Sequence, residues 1–150
     1  MIRIKVDERY AGTAKAEVLK AAVEATLKHE KAPADASLTV VVTDDDELRR
    51  MNEEYLGHND VTDVLAFPDG DADPDSGVTY LGDVLIAFPR AAAQAEAAGH
   101  PVMEELQLLT VHGTLHLLEH DHYQPGEKTR MWAAQDAILT SLGVKARPAE

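Results

Sequence analysis

The sequence predicts an α+β (mixed α/β) domain in which a single layer of mixed sheet, about four strands, packs with about five helices. Three observations predict it. Short β-branched or alternating runs occur four times, and longer segments with apolar residues at helical spacing occur five times. They follow one another as β-α-β-α-β-β-α-α-α, an order that layers strands and helices around one core. No repeat, linker or compositional break divides the chain, so residues 1–150 are expected to form one domain.

Residues 2–6, Ile-Arg-Ile-Lys-Val, alternate apolar and polar and read as a half-exposed strand, with Arg3 and Lys5 on one face. From about Thr13, a plausible N-cap, to Lys31, a packing helix buries Leu19, Ala22, Val23, Thr26 and Leu27. Residues 37–43 are a strand rich in β-branched side chains. Asp44 and Glu47 then form a capping box for a short helix that buries Leu48, Met51 and Tyr55 and ends at Gly57.

Residues 61–67 are a short apolar strand that Pro68 stops. The polar stretch 69–78 alternates aspartates, but neither calcium-loop register supplies both the glycine and the glutamate such a loop needs, so it reads as a solvated connection. Residues 79–87 form the fourth strand, and Asp83 inside it is either hydrogen-bonded in a structural role or directed at a site. Pro89 opens an alanine-rich helix that Gly99 closes. Pro101 begins a helix to about Leu118, apolar nearly all round and therefore central. A last helix, 125–142, turns Met131, Trp132, Gln135, Ile138, Leu139 and Leu142 inward, and residues 144–150 are expected to fray.

The central helix carries the chemistry. Four of the seven histidines fall within residues 112–122. His112 and His116 are four apart, which on a helix sets two imidazoles on one face about 6 Å apart along the axis. A third ligand comes from His122 if the chain leaves the helix and doubles back; His120 is the weaker candidate, because on a straight helix it would lie roughly 12 Å from His112. Three neutral imidazoles suit one Zn²⁺ per chain and leave a fourth position for a water that ionises near neutral pH. Asp121 is either the acceptor that orients an imidazole or a turn residue. Gly113 occupies the place of the general base in the zinc peptidase helix motif, so a peptidase reading loses its base. Glu105 projects from the same face, read as a partly solvated side chain or as support for the ligands.

Composition bounds the partners. With no cysteine, zinc must be held by histidine and carboxylate, and no disulfide framework exists. No stretch approaches a membrane span and the first residues lack a signal-peptide core, so a cytoplasmic protein is expected. A formal charge of −13 argues against non-specific affinity for nucleic acid, so any work on RNA must rest on a local positive site.

Three ordered segments resemble the YbeY family of bacterial endoribonucleases, which mature ribosomal RNA. His112, Gly113, Leu115, His116, Leu117, Asp121 and His122 match its histidine signature, while Glu119 and His120 replace Gly and Tyr. Asn52, Tyr55, Thr62, Asp63, Val64, Leu65, Phe67 and Pro68 match a second segment, but Leu56 stands where the family has an arginine, and Val61 and Ala66 replace Pro and Ser. Leu81-Gly82-Asp83 is similar to a third. The resemblance implies a zincin-like metal site in a single hydrolase domain: a zinc-dependent, single-strand-specific endoribonuclease in ribosomal RNA maturation and ribosome quality control, acting through His112, His116 and His122. Ribosomal RNA and small-subunit proteins are the implied partners. The alternative is a ribosome-associated assembly protein with a structural metal and little catalysis, for which Leu56 in place of arginine speaks.

Overall fold

The computed structural model describes residues 1–57, 62–68, 79–119 and 125–148. Four strands, β1 (Ile2–Val6), β2 (Ala36–Thr43), β3 (Val64–Pro68) and β4 (Thr79–Ala87), form one sheet in the order β1-β2-β4-β3. The three strands β1, β2 and β4 run parallel, and β3 pairs antiparallel with β4 at the edge. Five α-helices complete the fold: α1 (Ala16–His29), α2 (Asp45–Leu56), α3 (Phe88–Ala98), α4 (Val102–Glu119) and α5 (Pro125–Ser141). The α+β architecture and element order are those expected from the sequence.

Strand alternation divides the side chains between two faces. Leu38, Val40 and Val42 of β2 and Val84 and Ile86 of β4 meet Leu19 and Val23 of α1, Ala91 of α3 and Leu106, Leu109 and Leu117 of α4 in the main core. Leu65, Leu85 and Ala87 turn the other way and are covered by Leu48 of α2. Beyond α4, its residues Leu108, Val111 and Leu115 pack on Met131, Ala134, Ile138 and Leu139 of α5. Helix α4 is thus clamped between the sheet and α5, which is why its sequence is apolar nearly all round.

One close approach fixes its seat. A Cβ at Gly113 would stand 2.5 Å from Cγ1 of Val84 and 3.4 Å from Cγ2 of Val64, so glycine lets the helix lie down on β4 and β3.

Several boundaries differ from the sequence reading. Thr13 does not cap α1; its N–H closes a turn on Tyr10 after a 3₁₀ turn at Glu8–Tyr10, and the helix starts at Ala16 behind Lys15 without a side-chain cap. The same helix stops at His29, and Lys31 takes a left-handed φ of 55°. Tyr55 is exposed, not part of a buried stripe, and lies against the Phe67 ring with centroids 5.5 Å apart. Pro68 belongs to β3 and pairs with Gly82; at the last place of an edge strand its missing N–H breaks nothing. The segment from Val144 is docked rather than frayed as far as Arg147: Val144 and Ala146 are buried in the α4–α5 core, and Glu104 Oε1 accepts the N–H groups of Lys145 and Ala146 at 2.7 and 3.1 Å.

Candidate metal centre and its pocket

Helical spacing and burial bring the two histidines together. His112 and His116 lie half-buried, one turn apart on α4, with ring centroids 4.4 Å apart. Their Nε2 atoms are 2.9 Å apart. Two imidazoles on one tetrahedral zinc, at 2.0–2.1 Å each, hold their nitrogens about 3.3 Å apart. Opening the pair by a few tenths of an ångström therefore admits the ion, and an all-nitrogen donor pair suits zinc.

The orientation of His112 is set from α5. Its Nδ1 is 2.8 Å from Oε1 of Gln135, an amide carbonyl that can only accept, so Nδ1 carries the hydrogen and the Nε2 lone pair faces His116. Gln135 is buried among the apolar residues of α5. Helical spacing sets Gln135 on the inward stripe of the last helix and by itself assigns it no role. The signal was present: a polar residue buried in an otherwise apolar stripe needs a partner.

Among the described residues no group of three or more His, Asp or Glu converges to hold a metal. His120, Asp121 and His122, the expected third-ligand candidates and their neighbour, lie outside the described residues, as do residues 69–78 and Val61. Asp83 is described, and the structure directs it away from the histidines. In register it pairs with Thr39 and Phe67 on the sheet face that α2 covers, opposite α4. There it accepts a hydrogen bond from the hydroxyl of Tyr80, which also meets Thr39 Oγ1 at 2.9 Å. A hydroxyl thus supplies the partner that a half-buried carboxylate requires.

Beside His112 opens a pocket of about 230 Å³, lined by Val64, Leu108, Leu109 and Trp132 and by the polar side chains of Asp63, Gln94, His100 and Glu105. Glu105, one turn into α4, is buried and does not have the partly solvated position expected for it. His100 Nε2 donates to its Oε2 at 2.6 Å. With its amide nitrogen toward acceptors, Gln94 of α3 donates to Glu105 Oε1 at 2.8 Å and to Asp63 Oδ2 at 3.3 Å. Burial pushes the Glu105 carboxyl above the usual carboxylate range, and the His100 hydrogen bond opposes that rise.

Cations near the expected arginine position are engaged elsewhere. Leu56 ends α2. Arg50 bridges Glu47 at 2.6 Å and Glu54 at 2.9 Å on its own helix, and Arg49 pairs with Asp46 at 3.5 Å. His58 lies outside the described residues.

Comparison with known proteins places this geometry in a family. The family described as Endoribonuclease YbeY matches residues 3–143. Endoribonuclease YbeY of Chloroflexus aurantiacus is 41% identical over 150 residues, which cover 95% of this chain and 96% of that protein. Proteins of the same name from a Roseiflexus species and from Dehalococcoides mccartyi are 38% and 35% identical, covering 95% and 94% of this chain and 93% and 92% of their own. The solution structure of TM1509 from Thermotoga maritima shares the fold, with a TM-score of 0.64 at 22% identity over 95% of this chain and 89% of that one. With a family match over nearly all of the sequence and relatives covered almost in full, this chain belongs to the Endoribonuclease YbeY family.

Proposed function

We propose that this protein is a zinc-dependent, single-strand-specific endoribonuclease that cuts ribosomal RNA phosphodiesters in the cytoplasm during ribosomal RNA maturation and ribosome quality control. One observation carries the reading beyond the family name: His112 and His116 turn their Nε2 atoms to a common point, with His112 held in the ligating tautomer by Gln135. His122 is the proposed third ligand, with His120 its competitor and Asp121 as support. When bound, zinc supplies a Lewis acid that makes water a nucleophile near neutral pH.

The protein's own residues do the rest. Gln135 fixes the tautomer and angle of His112. Helix α4, clamped between the sheet and α5, holds the two histidines one turn apart on a rigid element, and Leu108 and Leu109 line the pocket beside them. No general base is assigned. The formal charge of −13 makes the local cation the attraction for RNA, because the polymer's phosphates meet repulsion elsewhere.

Cleavage of a labelled ribosomal RNA fragment by zinc-replete protein tests this, with His112→Ala prepared in parallel. Cleavage by the parent chain and its loss in the variant are expected; equal cleavage by both overturns the assignment. A second reading, a ribosome-associated assembly protein with a structural metal, is favoured by one observation: Arg49 and Arg50 are tied to carboxylates of their own helix where Leu56 replaces the family's arginine. Tightly bound zinc in a chain that cuts no RNA is the outcome it expects.

A further inference from the structure

The pocket beside His112 holds a polar corner that metal binding leaves unused. The two hydrogens of the Gln94 amide go to Asp63 and Glu105, and His100 gives its Nε2 hydrogen to Glu105. What the corner turns toward a ligand is therefore chiefly acceptor: the remaining lone pairs of two carboxylates. A phosphate is repelled there. The rest of the lining combines Val64, Leu108, Leu109 and Trp132, the single tryptophan of the chain, with Gln135 and Arg147, whose guanidinium is engaged by Asp136 and Thr140, and an indole takes the π-face of any base.

Size and donor pattern narrow the ligand. A volume of about 230 Å³ is the share of roughly eight waters, room for one flat heteroaromatic ring system but not for a sugar and phosphate besides. Guanine presents N1–H and N2–H side by side, spaced for the two oxygens of one carboxylate. Uracil instead flanks its one N–H with two carbonyls, which carboxylates repel. Only a base out of a duplex can enter, so the pocket also accounts for a preference for single strands.

We propose that this pocket is a nucleobase subsite for guanine, with Asp63 and Glu105 accepting from the base's donor edge, Trp132 against its face, and its sugar and phosphate directed toward His112 and His116. The proposal rests on RNA as the substrate. Trp132 provides the readout, because no other tryptophan contributes to the fluorescence.

The protein is titrated with GMP and with UMP, which share a phosphate and differ in the base, while Trp132 emission is followed. Saturable binding of GMP at least about tenfold tighter than UMP is expected, with the difference lost in Asp63→Asn. Should that variant not fold, as judged by circular dichroism, Glu105→Gln serves in its place. Equal binding of the two nucleotides, or none, overturns the proposal whatever the RNA does.

A second arm offers single-stranded oligouridine carrying one guanine at varied positions. Cuts that move with the guanine support the subsite. Cuts that ignore it, with GMP still preferred, overturn the substrate role and leave a site for a free guanine nucleotide. If GMP is preferred and no oligonucleotide is cut, the endoribonuclease reading fails while the guanine site stands.

Discussion

At the scale of single residues, the arrangement turns on a hydrogen bond between helices 23 residues apart in sequence. An imidazole free to rotate offers either nitrogen to a metal; one whose Nδ1–H is spent on Gln135 offers only Nε2. Gln135→Leu keeps the bulk and removes the acceptor. It is expected to lower zinc affinity about 10- to 100-fold in competition with a chromophoric chelator. Affinity equal to the parent's would show that Gln135 orients nothing. The third ligand is tested in the same assay: His122→Ala is expected to lose far more zinc affinity than His120→Ala, and the reverse order would move the ligand to His120.

At the scale of elements, α2 is held by the residue that caps it, Asp44. Asp44 Oδ1 accepts the N–H of Glu47 at 2.8 Å, the capping contact expected from the sequence, and Oδ2 takes the Arg9 guanidinium at 2.7 Å. Arg9, and after it the Glu47 N–H, hold the Asp44 carboxyl below the usual carboxylate range. A carboxylate lowered on folding adds stability that is complete above its unfolded pKa of ~3.9 and lost as pH falls through the lower folded value. Asp44→Ala is expected to cost about 1 kcal/mol at pH 7 by urea unfolding. The gap between parent and variant should narrow steadily below about pH 4. A gap that stays constant into acid would mean the cap does not depend on the carboxylate charge.

At the scale of the whole molecule, the site depends on how closely α4 lies on the sheet. Gly113 sits between the two histidine-bearing turns and against Val84, which is fully buried. Gly113→Ala drives a methyl into the Val84 side chain, so either that valine changes rotamer or the helix lifts. The expected cost is about 1–3 kcal/mol. For a chain of this size that lowers the melting temperature by roughly 2–4 °C per kcal/mol. A variant as stable as the parent would show that the core gives freely at this point. The same glycine explains why the place of a peptidase's general base is empty of chemistry: it is filled by the sheet.

The local features were legible without coordinates. Alternation and helical periodicity located the strands and helices because each element buries one face or one stripe, and that pattern is written in consecutive residues. The 112/116 pair was legible for the same reason, since four residues make about one helical turn. What depends on residues far apart was not. The exposure of Tyr55, the turn of Asp83 onto the face away from α4, and the docking of Val144 and Ala146 follow from which element lies over which, and no local pattern carries that. The contact of Gln135 with His112 and the meeting of Asp63, Gln94, His100 and Glu105 likewise join four separate stretches of chain. The sequence by itself determined the elements, the family and the pairing of His112 with His116 on one helix face, because these rest on short-range spacing. Only the tertiary structure decided which buried polar groups face one another, because a buried amide or carboxylate finds its partner through packing rather than through its neighbours in the chain.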